Sequence, residues 1–74
     1  MARSLFTISL DIRKDWKKPY FGAVPYINAM GSLDDITDNY GYDSGRSVVQ
    51  YFLANARTWK GDVARRIKKE LQAL

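Results

Sequence analysis

The chain contains no cysteine and no histidine among its 74 residues. Their absence excludes disulfides, thiolate-bound zinc, imidazole-ligated metals and every catalytic arrangement that needs a histidine base or a cysteine nucleophile. We therefore predict a protein that is not an enzyme and that uses neither a cofactor nor a metal. It is expected to act by binding a larger molecule.

Long apolar runs are also absent. None approaches the roughly 20 residues of a membrane-spanning helix, and the N-terminus lacks the apolar region and cleavage site of a secretory signal. These absences predict a cytoplasmic protein with no membrane partner. Hydrophobic residues make up 46% of the chain, as in an ordinary globular domain. We expect a single small domain over residues 1–74, stabilised by well-packed helices or by a partner chain.

Acidic residues are few and are grouped in the middle of the chain. The net charge is +4, but residues 1–22 carry +3, residues 23–45 carry −4 and residues 46–74 carry +5. Basic flanks around an acidic middle predict either a partner with anionic patches or electrostatic complementarity between parts of the chain itself.

The N-terminal segment alternates apolar and polar residues. Phe6, Ile8, Leu10 and Ile12 alternate with polar side chains, which predicts a half-buried strand over Phe6–Ile12. A lone strand needs a partner for its backbone hydrogen bonds. That partner could be a short return strand around Tyr20–Val24, a second copy of the chain in a homodimer, or the sheet edge of a target protein.

The remaining segments favour helices. Pro25 suits a first helical turn, and apolar spacing predicts one broken helix or two short helices over roughly 25–40, ended by Gly41. Asp43 or Ser44 is expected to cap the next helix. The fold class is therefore α+β and mostly helical, with one N-terminal strand, or a short hairpin, followed by a three-helix unit.

The last helix is predicted to begin with Thr58 as its cap and Gly61 in its first turn. Apolar periodicity across the chain gives an expected core with these members: Phe6, Ile8, Leu10, Ile27, Met30, Leu33, Ile36, Val48, Val49, Phe52, Leu53, Trp59, Val63, Ile67 and Leu71.

The last helix carries its cations opposite its apolar stripe. Arg65, Arg66, Lys68 and Lys69 form a basic face that could neutralise phosphates, or could be a solvated surface. Sequence readout by a helix N-terminus is disfavoured, because Gly61 and the residues around it read bases poorly. Contact with the phosphate backbone is the more plausible form of nucleic-acid binding.

The segment WKKPYF interleaves aromatic and basic residues. Trp16 precedes Lys17 and Lys18 in a connector, and Tyr20 and Phe21 follow them. Such a segment suits base stacking on a single strand or a protein-binding hot spot. The rings could equally cover one end of a small core, which needs its large side chains.

Most of the chain, from Pro25 onward, is similar to short accessory proteins of tailed bacteriophages and prophages. The residues that carry this resemblance are Asp43-Ser44, Ser47-Val48-Val49, Tyr51-Phe52-Leu53, Asn55-Ala56, Trp59, Gly61, Ala64-Arg65 and Lys69-Glu70-Leu71. The resemblance transfers no catalytic motif and no site. It implies a protein of the host bacterial cytosol that binds and inhibits a host complex, such as a defence system or a polymerase.

The leading hypothesis is thus a non-enzymatic module that binds a host protein or protein complex. Its expected contact residues are Trp16, Tyr20, Tyr42, Arg46, Arg65, Arg66 and Lys69. The alternative is a small basic nucleic-acid-binding accessory protein, with backbone contacts from Arg65, Arg66, Lys68 and Lys69. A further alternative is a structural homodimer paired through the Phe6–Ile12 strand.

Overall fold

A computed structural model describes residues 3–74. Within that range the chain forms four helices and one small antiparallel pairing. The elements are α1 (Leu5–Asp15), α2 (Val24–Met30), β1 (Asn39–Tyr40), β2 (Asp43–Ser44), α3 (Gly45–Ala54) and α4 (Asp62–Gln72). The mostly helical architecture is confirmed. The prediction of three helices is wrong, because the described residues form four, and the strands lie between α2 and α3.

The predicted N-terminal strand is wrong, because Phe6–Ile12 lies within α1. Ser4 caps this helix, its hydroxyl accepting from the Thr7 amide at 3.1 Å. The buried residues of α1 are Leu5, Ile8, Ser9 and Ile12, which share one face at helical spacing.

Phe6 and Leu10, predicted for the core, are 46% and 49% exposed. They fall on the outer side of α1, because residues two positions apart in a helix point to nearly opposite sides, and Phe6 and Leu10 each lie two positions from the buried Ile8. The backbone groups of a helix bond within the helix and cannot pair with a second strand. A homodimer paired through a Phe6–Ile12 strand therefore has no structural basis. The proposed return strand around Tyr20–Val24 is instead a turn that leads into α2.

β1 and β2 form a hairpin that is joined by a two-residue turn. Asn39 pairs with Ser44 and Tyr40 pairs with Asp43. Gly41 follows β1 with φ of +63°, a backbone conformation that a glycine-first hairpin turn requires and that other residues adopt at a cost. One broken helix or two short helices were predicted over roughly 25–40, but the helix stops at Met30, and turns and the hairpin follow.

The start of α3 follows the prediction, and the start of α4 does not. The Ser44 hydroxyl accepts from the Ser47 amide at 3.1 Å and caps α3. The predicted Thr58 cap is wrong, since α4 begins at Asp62 and its N-cap is Gly61, at φ of +113°. Asp62 then places a carboxylate in the first turn, where the helix dipole favours negative charge.

The helices run alternately up and down between two ends of the molecule. Hydrogen bonds from Leu5 N to Asp34 O and from Arg46 N to Ile36 O, both 2.9 Å, place the starts of α1 and α3 beside one segment. α2 and α4 return toward it. We name residues 34–44 the acidic end, and the loops 16–22 and 55–61 the basic end.

The buried apolar side chains form one cluster between the helices. Predicted core residues confirmed as buried are Ile8, Ile27, Met30, Leu33, Val48, Val49, Phe52, Trp59, Ile67 and Leu71. Ile36, Leu53 and Val63 are half-buried and pack against the same cluster. No helix in residues 3–74 has the length and apolar character needed to cross a membrane.

Candidate functional site: the basic end and the outer face of α4

Three aromatic rings support the basic end from beneath. Trp16 and Trp59 stack with ring centroids 5.6 Å apart and planes 9° from parallel. Phe52 meets both rings nearly edge-on, at 6.3 Å from Trp16 and 6.1 Å from Trp59. Because the stack joins loop 16–22 to loop 55–61, it fixes the two loops side by side.

The indole of Trp59 also engages a carboxylate. Its Nε1 donates to Asp15 Oδ2 at 2.8 Å, which satisfies the only polar atom of a side chain that is 2% exposed. Asp15 is thereby held at the end of α1. This bond uses one oxygen of its carboxylate, while the residue itself is exposed at the basic end.

Lys68 was predicted to contact phosphate, but its ammonium is already engaged. Its Nζ donates to the Trp59 carbonyl at 2.6 Å and lies 5.9 Å from the Trp59 ring centroid. Burial, and then the neighbouring Lys60, lower the pKa of Lys68. Lys68 therefore ties α4 to the aromatic stack and is the least available cation of the predicted basic face.

The other three predicted cations of α4 do share an outer face. Arg65, Arg66 and Lys69 are exposed, opposite the buried stripe of Ala64, Ile67 and Leu71. Arg65 lies 3.4 Å from Asp62 in an exposed pair, which stabilises little. Within residues 3–74, Arg66 and Lys69 form no ion pair.

Folding adds cations that the sequence patterns did not single out. Arg57 and Lys60 are exposed on loop 55–61, which the tryptophan stack places against the loop that carries Lys17 and Lys18. Lys60 and Arg65 line one shallow recess. The basic end therefore continues onto the outer face of α4. Local sequence patterns could not have predicted this continuous basic surface, because the two loops are far apart in the sequence.

Two aromatic rings stay exposed at the basic end. Tyr20 is 45% exposed and Phe21 is 78% exposed, and their ring centroids lie 4.7 Å apart. Tyr20 lines an open recess together with Ala54, Asn55, Arg57 and Thr58. Trp16, by contrast, is half-buried in the stack. Of the rings in WKKPYF, one supports the core and two face outward.

Two acidic residues beside the outer face of α4 are held by Arg3. Its Nε and Nη2 donate to the two carboxylate oxygens of Glu70 at 2.9 and 2.6 Å, and its Nη1 donates to Asp11 Oδ2 at 2.5 Å. These bonds lower the pKa of Asp11 and of Glu70. Arg3 thus joins α1 to α4 and offsets two carboxylates beside the outer face of α4.

At the acidic end, two carboxylates bond the local backbone. Asp38 Oδ2 accepts from the amides of Asp34 and Asp35, and Asp35 Oδ1 accepts from the Thr37 amide, all at 3.1 Å. No group of three acidic side chains within residues 3–74 is arranged to hold a metal ion. These contacts are those of a turn.

Two predicted protein-contact residues also lie toward the acidic end. Tyr42 is wholly exposed on the hairpin tip. Arg46, on α3, reaches the Leu74 carbonyl at 3.4 Å. The predicted protein-contact set therefore does not form one patch: Trp16 and Tyr20 lie at the opposite end, and the cations of α4 lie between.

Fold and site together define a small helical domain with a basic end, an acidic end and a basic outer helix face. No protein-family model, curated protein or solved structure matches the chain.

Proposed function

We propose that this protein is a small nucleic-acid-binding accessory protein that contacts the phosphate backbone. One observation supports this most strongly. Exposed cations lie on two adjoining loops and continue along the outer face of α4, and most of them have no ion pair within the described part of the chain. The members are Lys17, Lys18, Arg57, Lys60, Arg66 and Lys69, with Arg65 in a weak exposed pair.

The mode of contact follows from the type of side chain. Lysine and arginine that neutralise phosphates release condensed counterions, so binding is driven by charge and weakens steeply with salt. The first turn of α4 carries the carboxylate of Asp62, which would oppose insertion of that turn among bases and phosphates. The expected binding is therefore independent of base sequence.

A salt titration tests this function. Fluorescence anisotropy with labelled DNA should show affinity falling linearly on a log–log plot against salt. The double change Arg66→Gln and Lys69→Gln should lower the slope by about 2, one for each lost phosphate contact. Arg46→Gln is the matched control, because it neutralises an exposed cation toward the acidic end. Absence of binding at about 50 mM salt would reject the function.

A second function is supported by the acidic end. We propose there a contact with a host protein or complex in the bacterial cytosol, which the chain would inhibit as its phage resemblance implies. The hairpin presents Tyr40, 46% exposed, and the wholly exposed Tyr42 on a surface whose negative charge repels nucleic acid. Tyrosine is a frequent anchor of protein interfaces.

Affinity capture separates this second function from the first. Nuclease-treated bacterial lysate should yield a retained protein that Tyr42→Ala loses. Tyr51→Ala is the control, since Tyr51 is 47% exposed but lies on α3. Equal retention by wild type and Tyr42→Ala would exclude the hairpin as the contact.

A further inference from the structure

The exposed rings of Tyr20 and Phe21 are the feature of the basic end that phosphate contact leaves unexplained. The core does not use them, since Phe21 is 78% exposed. A large apolar ring gains little from a position on a loop surface unless something covers it. Lys17 and Lys18 precede the two rings on the loop and Arg57 lies beside Tyr20, which indicates an occupant that is both anionic and flat.

The ring of Tyr20 is held in place. Gly22 makes room for it: a Cβ at that position would lie 2.6 Å from the Tyr20 ring and 2.8 Å from the side-chain oxygen of Asn55. Tyr20 in turn contacts the ring of Phe21. The pair is therefore a preformed aromatic surface on loop 16–22.

Cations from two loops lie beside this aromatic surface. Lys17 and Lys18 precede it on its own loop, and Arg57 faces it across the recess that Tyr20 lines. Two exposed carboxylates lie nearby, of which Asp15 accepts from Trp59 and Asp62 lies 3.4 Å from Arg65. The surface thus offers ring faces at the centre and positive charge at the rim.

We propose that the Tyr20–Phe21 pair is a stacking site for the bases of a single-stranded nucleic acid. This inference rests on the proposed nucleic-acid function and assigns its substrate class. Only unpaired bases can lay a free face on a protein ring, whereas a duplex keeps its base faces stacked inside. Lys17, Lys18 and Arg57 bind the phosphates on either side of the stacked bases. The molecule measures about 29 × 28 × 18 Å, which accommodates a short stretch of about four nucleotides.

Comparison of single-stranded and duplex probes tests the site. Anisotropy is measured with a labelled oligothymidylate of about 12 nucleotides and with a duplex of the same length. The wild type should bind the single strand more tightly. Phe21→Ala should weaken single-strand binding about 5- to 100-fold, the effect of losing one stacked base, and leave duplex binding unchanged. Thermal melting should be unaffected, because Phe21 is mostly exposed.

Phe6→Ala is the matched control, an exposed phenylalanine on α1 whose backbone adjoins the acidic end. It should leave both affinities unchanged. Two results would overturn the stacking site and leave phosphate contact intact: equal affinity for the duplex and the single strand, or a single-strand affinity that Phe21→Ala leaves unchanged. Loss of binding to both probes at about 50 mM salt rejects both proposals. A host protein retained from nuclease-treated lysate and lost with Phe21→Ala, without any strand preference, would reassign the rings to a protein partner.

Discussion

The two ends of this molecule are held together by different forces. The basic end rests on side-chain packing, where Trp16, Phe52 and Trp59 stack between two loops. The acidic end is attached mainly by backbone hydrogen bonds at the starts of α1 and α3, including Gly45 N to Asp38 O at 2.6 Å. One end therefore depends on buried apolar area, and the other on close approach of main chains.

The ends also separate charge that is interleaved in the sequence. The order basic, acidic, basic along the chain becomes one basic end and one acidic end, because α1 and α3 run in the same direction. α1 has 11 residues and is about 16 Å long, which exceeds the screening length of about 8 Å at physiological salt. An anionic ligand is thus attracted to one end without much opposition from the other.

The largest effect is expected from removing the packed support of the basic end. Trp59→Ala should cost about 3–5 kcal/mol, the usual loss for a buried tryptophan, against a total stability of about 5–15 kcal/mol for a protein. Urea denaturation followed by circular dichroism measures it. Trp59→Phe is the control, because it keeps a ring and loses mainly the bond to Asp15. Equal losses for the two variants would show that the hydrogen bond, and not the stack, supports this end.

A smaller effect is expected at the acidic end, from backbone crowding. A Cβ at Gly45 would lie 2.8 Å from Asp35 O and 2.9 Å from Ile36 Cα, and backbone atoms cannot rotate away. Gly45→Ala should therefore cost about 1–3 kcal/mol, read from urea midpoints. Gly41→Ala is the comparison, since its Cβ would meet nothing within 4 Å and only the left-handed backbone costs energy, about 1 kcal/mol. A smaller loss of stability for Gly45→Ala than for Gly41→Ala would contradict backbone crowding at Gly45.

Parts of this fold were predictable from local patterns. Ser44 and the broad apolar face of α3 predicted the cap and the central helix, because both signals lie within one element. The strand prediction for α1 was wrong for a specific reason. Ile8 and Ile12 fit both the period of two of a strand and the spacing of a helix. Ser9 would have distinguished a helix from a strand, but it is polar although it is buried. Its hydroxyl donates to the Phe6 carbonyl at 2.6 Å, which makes that burial acceptable.

The candidate site was predictable only in part. The outer face of α4 follows from helical periodicity, and WKKPYF was visible as an aromatic and basic segment. Its junction with Arg57 and Lys60 depends on the tryptophan stack, which is a contact between distant segments. The engagement of Lys68 by the Trp59 carbonyl is likewise tertiary. Periodicity alone places Lys68 among the cations of α4 and gives no sign that its ammonium is occupied.

Removing either helix cap should lower the free energy of unfolding by as much as Gly41→Ala does, or by less. Ser44→Ala and Ser4→Ala should each cost about 1 kcal/mol, because each hydroxyl satisfies a first-turn amide at 3.1 Å. Both caps lie beside the acidic end, so the losses should leave the basic end unaltered. The measurement is urea denaturation together with DNA affinity under conditions where both variants remain folded. A change in DNA affinity with either variant would mean that the two ends are coupled.

The smallest effect concerns the link between α1 and α4. Arg3 lowers the pKa of Asp11 and Glu70 below their ordinary values of 3.8 and 4.5. A carboxylate with a lowered folded pKa stabilises the fold fully above its ordinary pKa and loses that contribution as pH falls through the folded value. Stability should therefore begin to decline below about pH 5, and the loss should be shallower in Arg3→Gln.

At neutral pH the same variant should lose less than about 1 kcal/mol, since Arg3 and Asp11 are each 37% exposed and water and salt screen the pair. Urea midpoints measured at neutral pH and at about pH 3, in low and high salt, test both statements. The difference between wild type and Arg3→Gln should shrink with acid and with salt. A difference that grows on acidification would carry the wrong sign for lowered carboxyl pKa values, and would instead assign Arg3 a packing role between the two helices.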